Sequence, residues 1–162
     1  MRWLVIGLLV SGGELRECAK QDTSQRGTLY LHIARTGCYG RCPIDEVELL
    51  PSGEVRYYGR RFVPQIGTYR RRLTPKEKKE IQRLFLQSQF DQYAEVYDNP
   101  NISDLASTIL TYKWEGKEKK IICRINCPPE LPDKIEKIRK LLAESGEFVR
   151  ENSSENDTSV ED

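Results

Sequence analysis

The strongest constraint in this sequence is the way its hydrophobic period switches along the chain. Leu29, Leu31 and Ile33 alternate with more polar neighbours in LYLHIAR, the period of a strand with one buried face. The same alternation returns with Val47 and Leu49 in 45–50, and with Val55 and Tyr57 in 54–60. It returns again with Leu110, Tyr112 and Trp114 in 108–114, and with Ile121, Cys123 and Ile125 in 119–125. Pro51-Ser52-Gly53 and Glu115-Gly116-Lys117 join these segments two by two, so each pair reads as a hairpin. Thr68–Leu73 is expected as a further short strand. Between the hairpins the period becomes helical. Thr74-Pro75-Lys76-Glu77 supplies an N-cap, a first-turn proline and the acid of a capping box, and Ile81, Leu84 and Phe85 follow on one face to about Ser88. After Pro128-Pro129, Leu131, Ile135, Ile138 and Leu142 mark a second helix ending near Ser145-Gly146. The expected fold class is α+β: an antiparallel sheet built from two hairpins, with two helices packed on one face.

A chain of 162 residues has room for one such domain, placed at residues 28–146. What precedes it has another character. Met1-Arg2 leads into the apolar run Trp3–Val10, and Ser11-Gly12-Gly13 follows, the pattern of an export leader. A buried N-terminal strand is the alternative, but the small and charged residues behind the run suit a leader better. The run is far short of the roughly 20 residues a membrane-spanning helix needs. Cys18 stands three residues after Leu15, the spacing of a lipoprotein cleavage site, with Arg16 and Glu17 where small uncharged residues are usual. Cys18 is therefore the lipidation candidate, residues 1–18 the leader and 19–27 a polar tether. Residues 147–162, rich in Ser, Asn and acids, are expected to form a disordered acidic tail.

Charge is distributed unevenly. Residues 28–140, with 21 Lys/Arg against 15 Asp/Glu, and residues 141–162, with seven acids against Arg150, cancel. Residues 1–27, with four basic residues against three acids, leave the formal +1. Six arginines fall within Arg56–Arg72, a stretch without an acid. Strand alternation puts Arg56, Arg60, Arg70 and Arg72 on outward positions, where guanidinium forks suit carboxylate or phosphate groups. A merely solvated sheet face is the alternative. The acidic tail and the leader argue against nucleic acid as the partner.

Motifs of known chemistry are scarce. His32 is the sole histidine and has no companion nucleophile nearby in sequence. Asp104, in Asn101-Ile102-Ser103-Asp104, is carried as a binding candidate, with a turn carboxylate as the alternative. Asp45 and Glu46 are expected at solvated strand positions. No cofactor motif is present, and no cofactor or resident metal is expected.

Cys38-Tyr39-Gly40-Arg41-Cys42-Pro43 is followed by a strand, Pro-Ser-Gly and a second strand ending Tyr57-Tyr58-Gly59. Gly67, the Thr74-Pro75 helix, Phe90 and Ser103-Asp104 come next, ahead of a hairpin. Over residues 29–142 this order resembles domain of unknown function 6438, a family of exported bacterial domains common in Bacteroidetes-type lipoproteins. That family often has an aromatic residue two positions after the proline, where this chain has Asp45. The resemblance implies an exported, often lipid-anchored α+β domain and brings no catalytic residues.

Cys38/Cys42 and Cys123/Cys127 are each spaced C-x3-C beside proline. Disulfides, free thiols and a metal site all remain open from the residues. Export and the even count left without Cys18 favour disulfides. Neither pair has the C-x-x-C spacing of thiol oxidoreductases or of common zinc sites. The expected function is a non-catalytic, exported envelope domain, periplasmic or membrane-anchored through lipid, binding an envelope protein or an anionic surface component. The alternative is a thiol-redox or metal-binding module using the two cysteine pairs.

Overall fold

The structure, a computed structural model, describes residues 28–151. Its elements run β1 (Tyr30–Arg35), β2 (Ile44–Leu49), β3 (Glu54–Arg61), β4 (Gly67–Arg72), α1 (Pro75–Ser88), β5 (Val96–Tyr97), β6 (Thr108–Trp114), β7 (Lys117–Cys123), α2 (Glu130–Ala143) and β8 (Val149–Arg150). Eight strands form one sheet in the order β5-β7-β6-β1-β2-β3-β4-β8. Every neighbouring pair is antiparallel except β5 with β7.

The class is α+β, but the sheet is larger than two hairpins. β1 fuses them: Ile33 stands opposite Val47 of β2 on one side and Leu110 of β6 on the other. All three are at most 1% exposed, so the strand with the cleanest alternation occupies the middle of the sheet. Two strands went unexpected. β5 is short and follows the break after Phe90, with no alternation to announce it. β8 lies within the segment expected as tail; Phe148 packs against the core and Val149–Arg150 pair with Arg70 and Tyr69. Residues 147–151 therefore close the β4 edge. The leader 1–18, the tether 19–27 and residues 152–162 lie outside the described residues.

The inward set of each strand and one stripe of each helix meet in a single core. Leu31, Ile33, Val47, Val55, Leu110 and Ile121 face Ile81, Leu84 and Phe85 of α1 and Leu131, Ile135, Ile138 and Leu142 of α2, all buried. Each such side chain contributes roughly 1.5–3 kcal/mol by leaving water. The capping box forms as read: Glu77 N donates to Thr74 Oγ1 at 3.3 Å, and Thr74 N donates to Glu77 Oε2 at 2.7 Å. Gln89, with φ at 50°, ends α1 in the left-handed region. Both helices pack on one face, as expected, and the outward residues of the sheet are half-buried or exposed.

Candidate functional site

The outward face carries the arginines. In β3, Arg56, Tyr58 and Arg60 alternate with buried Val55, Tyr57 and Gly59. In β4, Arg70 and Arg72 point outward while Arg71 is buried. The register sets Arg56 directly opposite Arg70 and Glu54 opposite Arg72. The stretch lacks acids in sequence, yet Glu54 at the start of β3, Glu46 of β2 and Glu151 just past β8 supply them. Arg56 Nε donates to Glu54 at 2.8 Å, Arg60 donates twice to Glu46 at 3.1 and 2.8 Å, and Arg70 stands 3.7 Å from Glu151. His32 also meets Glu46, at 3.1 Å. Burial acts to raise the Glu46 carboxyl, but hydrogen bonds from Arg60 and His32 outweigh it and hold the group below its ordinary value. Arg72 has no ion pair among the described residues.

Asp45 requires a correction. Expected in solvent, it is 2% exposed on the inner face, two residues before Val47. Arg35 donates to both of its oxygens at 2.6 Å. Tyr57 donates to it at 3.2 Å, and Arg139 of α2 at 3.4 Å. Arg139, itself buried, also forks onto Glu136 at 2.6 and 2.8 Å and reaches Glu144 at 2.7 Å. Burial together with the Asp45 charge pushes the Tyr57 hydroxyl up to about 12. A cavity of about 260 Å³ opens beside this network, walled by Tyr57, Gln65, Glu144 and Phe148. The guanidiniums are committed to carboxylates of the same molecule, so the network fastens α2 to the sheet. Alternation alone places Asp45 inward with Val47 and Leu49; the charge obscured that signal.

Both cysteine pairs sit at the opposite end of the sheet from the β6–β7 turn. Cys38 with Cys42, and Cys123 with Cys127, stand at disulfide distance with Cα atoms 5.8 Å apart in each pair. The pairs do not converge: no group of three or more His, Cys, Asp or Glu side chains placed to hold a metal occurs among the described residues. Asp104 has φ at 66° and is exposed. Its carboxylate accepts from Ser103 at 3.0 Å, and its carbonyl accepts from Tyr39 N at 3.1 Å. It therefore ties its loop to the Cys38–Cys42 loop and does not join the arginines by any hydrogen bond. Arg41, and Arg61 from the six-arginine stretch, were not among the binding candidates, and their guanidiniums lie 5.7 and 5.1 Å from the Phe62 ring. Phe62 is held at φ 55°, a strained setting for a bulky residue. Neither arginine has an ion pair among the described residues.

A family model described as domain of unknown function, DUF6438, matches residues 29–142. The chain belongs to this family. The DUF6438 match runs from just before β1 into the last turn of α2 and contains both cysteine pairs, the arginine strands, Asp45 and Asp104. β8 and the Glu151 that follows it beside Arg70 lie beyond it. No curated protein matches the chain. No described helix is long and apolar enough to cross a membrane.

Proposed function

We propose that this chain is a non-catalytic exported domain, held at a membrane by a lipid on Cys18. On this reading its uncovered sheet face docks an envelope protein or another anionic envelope component, not nucleic acid. The observation that carries the docking is the register of Arg56 against Arg70. Like charges directly opposite one another destabilise a sheet. Here they stand with Arg72 and Arg60 on the face that both helices leave open. An acidic surface converts that repulsion into attraction, and the planar guanidinium fork suits carboxylate or phosphate. Two cysteine pairs at disulfide distance support an oxidising compartment.

The test uses the native host. Intact mass and membrane fractionation should find mature protein beginning at Cys18, with Cys18→Ser released from the membrane. The variant Arg56→Gln/Arg60→Gln/Arg70→Gln/Arg72→Gln should fold normally and lose co-purifying partners, most visibly at low salt. Unchanged partners with unchanged salt dependence would exclude the docking face. Full-length protein recovered from the cytoplasm would exclude export.

A further inference from the structure

We propose that the cleft at the end of the sheet remote from the cysteines, where α1 ends beside the β6–β7 turn, binds a carbohydrate ring. Half-buried Trp114 is its accessible aromatic wall, backed by the buried rings of Phe85, Phe90 and Tyr112. The Phe85 ring lies 5.0 Å from Tyr112, 6.0 Å from Trp114 and 5.8 Å from Phe90 by centroids. The space they enclose measures about 240 Å³, and its polar rim is Gln89, Asp91, Glu115 and Lys117. Trp114 and Glu115 also border an adjoining hollow of about 430 Å³ against Tyr30 and Pro51. The indole thus stands between two spaces, enough for more than one ring.

Two backbone departures converge on this rim. Gln89 ends α1 at φ 50°, and Glu115 opens the β6–β7 turn at φ 49°. Glycine or asparagine is the favoured residue at both kinds of position, because a side chain with Cβ is strained there. The strain in each case brings a long hydrogen-bonding side chain to the same cleft. Neither side chain has a hydrogen-bond partner among the described residues. Asp91 accepts from the Tyr112 hydroxyl, which holds its carboxyl ionised below the ordinary value, and its other oxygen is 3.7 Å from Lys117 Nζ.

This combination selects a ligand class. A sugar ring offers a face of C–H groups to an aromatic wall and a rim of hydroxyls that both donate and accept. The amide of Gln89, the carboxylates of Asp91 and Glu115 and the ammonium of Lys117 match such a rim. A flat apolar ligand would leave all four without a role. A quaternary ammonium would use the walls and carboxylates, but neither the amide nor the lysine. The inference is independent of the arginine face.

The test is a titration of the full chain carrying Trp3→Phe, which leaves Trp114 as the only indole. Cellotriose, maltotriose and triacetylchitotriose are the sugar probes, and tetramethylammonium chloride is the cation control. A saturable change in Trp114 emission is expected with at least one trisaccharide. Gln89→Gly and Glu115→Asn should each raise the melting temperature, by relieving the left-handed strain, while weakening that binding about five-fold. A purely structural role would move the first readout and not the second. The proposal fails if no trisaccharide gives a saturable change, if tetramethylammonium alone does, or if both variants stabilise the fold with affinity unchanged.

Discussion

Arg71 extends from the inner side of β4 to the Glu77 carboxylate at 2.8 Å, the same carboxylate that closes the capping box of α1. The guanidinium also donates to the Leu141 carbonyl at 3.0 Å and the Leu142 carbonyl at 3.3 Å, at the end of α2. One buried side chain therefore joins the start of one helix to the end of the other. Arg71→Met should destabilise the domain by about 3 kcal/mol in urea unfolding, the lower end for a broken buried pair because Glu77 still reaches water. Arg71→Lys should recover less than half of that, since an ammonium cannot serve both helices at once.

Asp45 is the hub of the second network. Asp45→Ala takes from Arg35 its one carboxylate partner among the described residues and from Arg139 one of three. A loss of about 3 kcal/mol is expected by urea unfolding, the lower end for a broken buried pair because Arg139 keeps Glu136 and Glu144. Asp45→Leu combined with Arg139→Met should lose less than the sum of the two single changes, because neither position then strands a charge at the other, while Arg35, 22% exposed, still reaches water.

Stability should fall at both ends of the pH scale for separate reasons. For Glu46, Glu77 and Glu136, burial acts to raise the carboxyls, but hydrogen bonds from Arg60 and His32, from Thr74 and Arg71, and from Arg139 hold them below the ordinary 4.5. Their contribution is complete above pH 4.5 and is lost as pH drops through the lowered folded values. Tyr30 and Tyr57 are pushed from 10.0 to about 12, first by burial and then by Glu48 and Asp45. Their contribution is complete below pH 10.0 and disappears as pH rises toward 12. Denaturant midpoints measured across pH should show both limbs, with Glu77→Gln flattening the acid limb and Tyr57→Phe the alkaline one.

Both cysteine pairs close loops with a sequence separation of 4. So short a loop removes little freedom from the unfolded chain, so reduction should lower stability by no more than about 2 kcal/mol for each pair. Alkylation under denaturing conditions, before and after reductant, should report four protected cysteines in protein recovered from an oxidising compartment. Bound zinc at one equivalent would contradict this.

Arg70→Thr relieves the opposition with Arg56 at the expense of a long contact to Glu151. It should raise stability by a few tenths of a kcal/mol while reducing retention on an anionic matrix. A loss of stability would mean that Glu151 outweighs the cross-strand repulsion.

Most of the fold was legible where burial and period agree. Leu31, Ile33, Ile81 and Ile138 each fall on the side their spacing demands, and the Thr74–Glu77 box forms as read. Legibility failed where local pattern is silent about partners. Nothing within β1 states that it pairs on both sides, and β8 has only two residues, one of them Arg150. Charge misled at Asp45, because a carboxylate is read as solvated unless its arginines, distant in sequence, are seen beside it. The arginine strands were placed by alternation, whereas the acids Glu46 and Glu151 beside Arg60 and Arg70 come from chain segments brought alongside by cross-strand register. The aromatic cleft depends on α1 meeting the β6–β7 turn, and no single segment records that meeting.

β1 is synthesised before the rest of the sheet and finishes in its middle. One of its sides is served by β2, the next element made. The other waits for β6, after β3, β4, α1 and β5 have all emerged. Throughout that interval the first four strands can assemble as a meander whose leading margin is a row of unpaired amides and carbonyls flanked by Leu31 and Ile33. Such a margin accepts any extended chain, including another nascent copy, and distant pairing is slow to arrive. The late hairpin therefore gates completion of the sheet, and the interval before it emerges is when the growing chain most needs a chaperone.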